Sequence, residues 1–117
     1  MTTKKNEKNE KTVETPTIAV GRPALIRSGQ SGVWVGTLAE PVMGPEAGRF
    51  AVRLRDARRI HYWTGAAACS GLAVAGPGKG SRVCPPVADV LLADCCEVLA
   101  VTEAAMGAVV ALPAWNP

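Results

Sequence analysis

Residues 49–63, RFAVRLRDARRIHYW, constrain the fold more than any other stretch of the chain. From Arg49 to Leu54 the side chains alternate, with Phe50, Val52 and Leu54 on one face and Arg49, Arg53 and Arg55 on or near the other. A period of two marks a strand with one buried and one wet face. Asp56-Ala57 reads as a tight connection, and Arg58 to Trp63 as the second strand of a hairpin. In that second strand Ile60 and Tyr62 share one face, while Arg59, His61 and Trp63 share the other. One face enters a core; the other shows a cation, an imidazole and an indole.

The flanking segments add strands and two helices. Ala24 to Arg27 and Val33 to Leu38 read as strands joined by the turn cluster Ser28 to Gly32, with Gly36 marking a bulge or a close backbone approach. Trp34 lies opposite Val33 and Val35 in the alternation, so it belongs either to a second hydrophobic layer or to a binding surface. Pro41 to Gly48 reads as a loop. Thr64 is a candidate N-cap for a short helix over Ala66 to Ala75, ended by Gly76-Pro77. Gly76 to Gly80, GPGKG, lacks the spacing and the Ser or Thr of a phosphate loop. Val87 to Ala93 and Cys95 to Val101 read as two strands or one long bent strand. Thr102 then caps a terminal helix with Glu103 in its first turn and Leu112-Pro113 as its stop. Trp115, beyond that stop, reads either as a hydrophobic clasp or as a partner contact. The expected class is α+β: a small, mainly antiparallel sheet or partly open barrel, with one short helix after the motif strand and a C-terminal helix.

Residues 1–15 alternate Lys, Asn, Glu and Thr with no apolar period, which predicts a disordered polar arm. Residues 16–117 then form a single domain of about 100 residues, a size at which the core is small. Five aromatic residues in the whole chain leave Ala, Val and Leu to build that core by close packing. The arm suits a solubilising tail or a segment that orders on a neighbouring subunit, so a homo-oligomer is among the expected partners.

Composition excludes several functions. Thirteen basic against ten acidic residues is too mild for a dedicated polybasic nucleic-acid binder, although Arg49, Arg53, Arg55, Arg58 and Arg59 make a local basic patch opposed in sequence only by Asp56. Four cysteines without a C-x-x-C pair, and with vicinal Cys95 and Cys96 pointing to opposite strand faces, predict no metal site. No apolar run approaches the roughly 18 residues of a membrane span, and no signal-peptide core follows Met1, so the expected partners include no membrane. Free thiols in a reducing cytoplasm follow. His61 lacks an identifiable orienting carboxylate, and Cys69, eight residues on, reads more simply as a small buried thiol in an Ala-rich segment; the chain reads as non-enzymatic and without a cofactor.

The remaining chemistry is binding. Arg58 and Arg59 supply guanidinium groups for an anion, Trp63 or Tyr62 a face for stacking, His61 an imidazole, and Thr64 and Gly65 backbone N–H donors at the start of a helix. The candidate ligand-binding set is therefore Arg58, Arg59, His61, Trp63, Thr64 and Gly65, with Tyr62 as support. A small anionic ligand such as a nucleotide fits it. Arg and Trp on one strand face are also the anchors that protein interfaces use.

The chain resembles a family of short, uncharacterised tailed-bacteriophage proteins. The resemblance lies in G-V-W-V-G-T-L at Gly32 to Leu38, A-R-R-I-x-Y-W-x-G-A at Ala57 to Ala66, Ser81-Arg82 with the later Pro86-Val87, Val101-Thr102-Glu103 and a terminal Trp. In that family a second Trp is usual where His61 stands here. The resemblance implies a phage or prophage origin and brings no established activity. With that origin, the expectation is a non-catalytic binding protein acting on a nucleotide or host protein in the host cytoplasm. The alternative is a virion accessory protein, capsid decoration or cement, that meets a capsid protein through its N-terminal arm.

Overall fold

The computed structural model describes residues 15–116, so the predicted arm lies outside the described residues except for Thr15. Within them the order is β1 (Pro23–Ser28), β2 (Gly32–Leu38), β3 (Met43–Glu46), β4 (Arg49–Tyr62), α1 (Cys69–Ala75), β5 (Arg82–Val83), β6 (Val87–Ala100) and α2 (Glu103–Ala111). All strand pairings are antiparallel: β1 with β2 and β6, β6 with β4, and β4 with β2. Those four close into a small barrel, to which β3 and β5 are added along β4. The protein is thus α+β, with a closed antiparallel sheet, one mid-chain helix and one C-terminal helix.

β1 and β2 form the predicted hairpin, and its turn is held from within by Ser28. This side chain is buried, and its Oγ accepts from Ser31 N at 3.1 Å. β6 is the long continuous strand, passing from β4 to β1 at Cys95, which pairs with both Phe50 and Ser28. Cys95 is buried and Cys96 exposed, on the opposite faces that vicinal strand residues take.

Two expectations need correction. The second hairpin does not exist: Arg49 to Tyr62 is one strand of 14 residues. Val35 faces Arg58 and Thr37 faces Arg55, so Gly36 alone opposes Asp56 and Ala57. Asp56, at φ 50°, takes the left-handed conformation of a bulge, and the chain continues in the same direction. A residue with turn chemistry here twists a strand instead of reversing it. Pro41 to Gly48, expected as a loop, contains β3, whose Met43 pairs with Ala51 and Glu46 with Arg49.

The barrel wall separates two cores. Ala24, Ile26, Trp34, Leu38, Val52, Leu54, Ala57, Leu92 and Cys95 fill the interior. Leu25, Val33, Val35, Ile60 and Val83 face outward and are covered by Leu72 and Ala73 of α1 and Ala105 and Val109 of α2. β1 and β2 are therefore apolar on both faces. Trp34 belongs to the interior, 7% exposed, with Nε1 donating to Ser31 O at 3.1 Å. The largest fully buried side chains are Leu, Ile, Val and Cys, in keeping with a core made from small residues. Each such aliphatic contributes about 1.5–3 kcal/mol through burial.

Thr102 joins the two helices. Its Oγ1 accepts from Ala105 N at 3.0 Å as the N-cap of α2 and donates to Val74 O at 2.7 Å near the end of α1. Among the described residues no helix is long and apolar enough to cross a membrane.

Candidate functional site

The bulge at Asp56 decides what the motif presents. Before it, Phe50, Val52 and Leu54 point to the barrel interior; after it, Ala57 does, and parity has shifted by one. Arg58 and Ile60 consequently turn toward the helices, and Arg59 and His61 lie on the other side of the strand. The two neighbouring arginines are sent in opposite directions.

Arg58 is a structural tie. Its Nε donates to Cys84 O at 2.9 Å, Nη1 to Val109 O at 2.9 Å and Leu112 O at 3.0 Å, and Nη2 to Val83 O at 3.1 Å. Two of these carbonyls belong to the end of α2, where helix geometry leaves acceptors without partners and favours a cation. Burial pushes the Arg58 pKa down. Its donors face protein carbonyls, so Arg58 leaves the expected ligand set.

Arg59 is exposed, and its guanidinium lies 4.9 Å from the centroid of the Trp34 ring, its cross-strand neighbour. His61 is also exposed and stacks on Trp115, with centroids 4.7 Å apart and planes 12° from parallel. Trp115 reaches this position because its N–H donates to Val83 O at 2.9 Å, next to a parallel bridge between Val83 and Ala114. The C-terminal segment thus folds back along the motif strand, with Trp115 against His61 and Arg82. On β5, Arg82 pairs with Tyr62, and its guanidinium lies 5.5 Å from the Tyr62 centroid and 5.4 Å from that of Trp115. These are distances at which a cation is attracted to a ring face.

Trp63 and Tyr62 exchange their expected places. β4 ends at Tyr62, so strand alternation no longer governs Trp63. Trp63 turns against the helix-side core, with Nε1 donating to Ala66 O at 3.1 Å. Tyr62, expected as support, is 50% exposed beside Arg82. Thr64 and Gly65 are likewise not a helix start, because α1 begins at Cys69 with Ala68 as its cap and no side-chain capping bond. Thr64 N donates to Ser81 Oγ at 3.0 Å, its Oγ1 donates to Lys79 O at 2.8 Å, and its carbonyl accepts from Gly78 N at 2.8 Å. Gly65, at φ 84°, makes the turn that allows this. The pair staples the 64–81 loop beside the rings.

The motif strand thus contributes His61 and Tyr62 to a ring cluster joined by Arg82 and Trp115, while Arg59 lies on Trp34, on the same side of the strand as His61. Sequence reasoning offered Trp115 as a clasp or a partner contact without joining it to the motif strand, and it did not single out Arg82 as a site residue.

Two arginines of the expected basic patch, Arg49 and Arg53, are met by acids distant in sequence, as is Arg27 outside it. Arg49 meets Asp94 at 2.7 Å; Arg53 meets Asp89 at 2.6 Å and Glu40 at 2.9 Å; Arg27 meets Glu97 at 3.1 Å. The β4–β6 register, with Arg55 opposite Asp89, brings the acids of β6 alongside the arginines of β4. Among the described residues no carboxylate pairs with Arg59 or Arg82.

Cys69 lies in the helix-side core, where burial pushes its thiol pKa up, and among the described residues no hydrogen bond joins it to His61. No group of three or more metal-ligating side chains occurs among them either. An apolar groove of about 820 Å³ runs past Pro16, Pro23, Met106 and Val110, and shares no residue with the ring face.

The family model of a domain of unknown function, DUF6948, matches residues 21–109, which include Arg59, His61, Tyr62 and Arg82 and stop short of Trp115. No curated protein and no solved structure matches the chain.

Proposed function

We propose that this chain, which belongs to the DUF6948 family, is a phage-encoded, non-catalytic binding protein that acts in the infected cell through the face formed by Arg59, His61, Tyr62, Arg82 and Trp115. The observation that carries the reading is the state of Arg82. Its guanidinium lies between two ring faces with no carboxylate against it among the described residues, whereas Arg27, Arg49 and Arg53 are each bound to an acid. A cation held by rings keeps its charge available to an incoming anion, and exposed ring surface beside it accepts a planar group by stacking. A ligand with a negative charge next to a flat ring, such as a nucleotide, answers both features. The resemblance to tailed-phage proteins supports the setting.

Calorimetric titration of the chain with nucleoside phosphates, and with inorganic phosphate alone, tests this reading. A ring-bearing nucleotide should bind more tightly than inorganic phosphate, and Arg82→Ala should weaken it by about tenfold or more, the loss of a charge-assisted contact. Failure of every nucleotide to bind, or unchanged binding by a folded Arg82→Ala variant, would sink the ligand assignment. Binding in the infected cell also predicts that the protein is missing from purified virions by mass spectrometry; recovery there at high copy would favour the accessory role.

A further inference from the structure

The glycine-rich loop that ends at Gly80 lacks the spacing of a phosphate loop, yet the fold carries it to the ring face. Arg82 follows Gly80 by two residues and pairs with Tyr62, so the Cα atoms of Gly80 and Arg82 lie at most about 7 Å apart. Residues 78–81 form a tight turn, in which Ser81 N donates to Gly78 O at 3.2 Å and Gly80 takes φ 86° without strain. Thr64 clamps this turn from one side. Its carbonyl accepts from Gly78 N at 2.8 Å, its Oγ1 donates to Lys79 O at 2.8 Å and its N donates to Ser81 Oγ at 3.0 Å. The contact is close, since a Cβ added at Gly78 would stand 2.9 Å from Thr64 Oγ1. The C=O and N–H of one trans peptide point in opposite directions. Because Lys79 O is aimed at Thr64, Gly80 N–H on the same peptide is aimed away from it, and Gly80 is exposed. Among the described residues no acceptor meets Lys79 N or Gly80 N. Lys79 is exposed too, and no carboxylate among those residues pairs with its ammonium.

We propose that this turn is the phosphate subsite of the ring face, where Gly80 N–H and the Lys79 ammonium hold the phosphate monoester of a nucleotide whose base stacks on the rings. The inference rests on the nucleotide reading of that face and adds the residues that take the charged end. A phosphate monoester carries about −1.5 to −2 charge at pH 7, which the single guanidinium of Arg82 leaves partly unbalanced. Lys79 supplies the second cation from the adjoining turn. A turn N–H that is already fixed in direction adds a hydrogen bond to an anion without ordering a further side chain. The turn is not a P-loop: no helix follows it, and β5 begins at Arg82. Its clamp by Thr64 also gives the Thr64-Gly65 segment a part in the site, as the support of the turn and not as a donor to the ligand.

Calorimetric titration of the full chain with ribonucleoside monophosphates, the matching nucleosides and inorganic phosphate separates the subsite from the rings. Wild type should bind a monophosphate about tenfold or more tighter than its nucleoside, the scale of a hydrogen bond to a charged group. Lys79→Gln should remove most of that difference and leave the nucleoside affinity unchanged. The Lys79 side chain gives the protein no hydrogen bond among the described residues, so the variant should melt like wild type. In proton–nitrogen NMR spectra of wild type, the Gly80 amide proton should move downfield on addition of the monophosphate and stay in place with the nucleoside. A monophosphate affinity that Lys79→Gln leaves unchanged, or a Gly80 amide that does not move, would overturn the subsite while the ring face stands. Inorganic phosphate binding as tightly as the monophosphate would overturn the link between this turn and the rings. Failure of wild type to bind any nucleotide would overturn both readings.

Discussion

Arg58 and Arg59 are adjacent and do different work, because a strand sends neighbours to opposite faces. Arg58 gives its hydrogen bonds to four backbone carbonyls and fastens β5 and the end of α2 to β4. Arg59 rests on Trp34 at the surface. Removing Arg58 takes a charged donor from four part-buried carbonyls, of which Val83 O and Val109 O keep a backbone N–H and Cys84 O and Leu112 O lose the bond that Arg58 gives them, so Arg58→Ala should lower stability by about 2–3 kcal/mol in urea denaturation. Arg59→Ala should cost under about 1 kcal/mol, the scale of an exposed cation–ring contact. Equal losses would show that the assignment of the two roles is wrong. Tyr62 and Trp63 repeat the lesson: each was placed by extrapolating alternation, and Trp63 lies one residue beyond the strand that would have enforced it.

At the scale of elements, the fold depends on the bulge in β4 and on the charged seam between β4 and β6. A Cβ added at Gly36 would stand 2.9 Å from Ala57 Cα and 3.0 Å from Arg55 O, both on the bulged strand. Gly36→Ala should therefore destabilise the protein by about 1–3 kcal/mol through overpacking, read from the urea midpoint; a neutral effect would mean the strands are not this close. The seam predicts an acid dependence. Hydrogen bonds from Arg53 lead in holding the Asp89 carboxyl below its ordinary value. A group with a depressed folded pKa stabilises the fold fully above its unfolded value of about 3.9, and the contribution is lost as pH falls through the folded value. Arg53→Gln should return the Asp89 titration, followed by carboxyl NMR, toward about 3.9, and its stability deficit should shrink below about pH 4. An unchanged titration would contradict the seam.

Most elements were legible in the sequence where a local signal was complete. The β1–β2 hairpin has its turn cluster between apolar runs, and α2 has Thr102, Glu103 and a closing Leu112-Pro113. The sequence divides β4 in two because Asp56 can serve a turn or a bulge, and only the pairing with Gly36 across the sheet decides between them. The sequence reading of α1 starts too early, at Ala66 and not Cys69, because Thr64, a good cap by chemistry, directs its hydroxyl to Lys79 O across the loop.

For the molecule as a whole, the division of charge matters more than its sum. On the β4–β6 flank, Arg49 and Arg53 meet acids from distant segments; at the other end of β4, Arg59 and the neighbouring Arg82 of β5 sit against rings. The motif's rings were visible in the sequence, but the face they help to form was not. Arg82 is twenty residues from Tyr62, and Trp115 is further still, so their meeting is fixed by the pairing of β5 with β4 and by the return of the C-terminal segment along Val83. Backbone and indole NMR shifts followed while a nucleoside phosphate is added test the ring face most directly. The account predicts saturable shifts confined to Arg59, His61, Tyr62, Arg82, the Trp115 indole and the adjoining 78–81 turn; shifts along α2 and the Pro16 groove instead, or none, would contradict it.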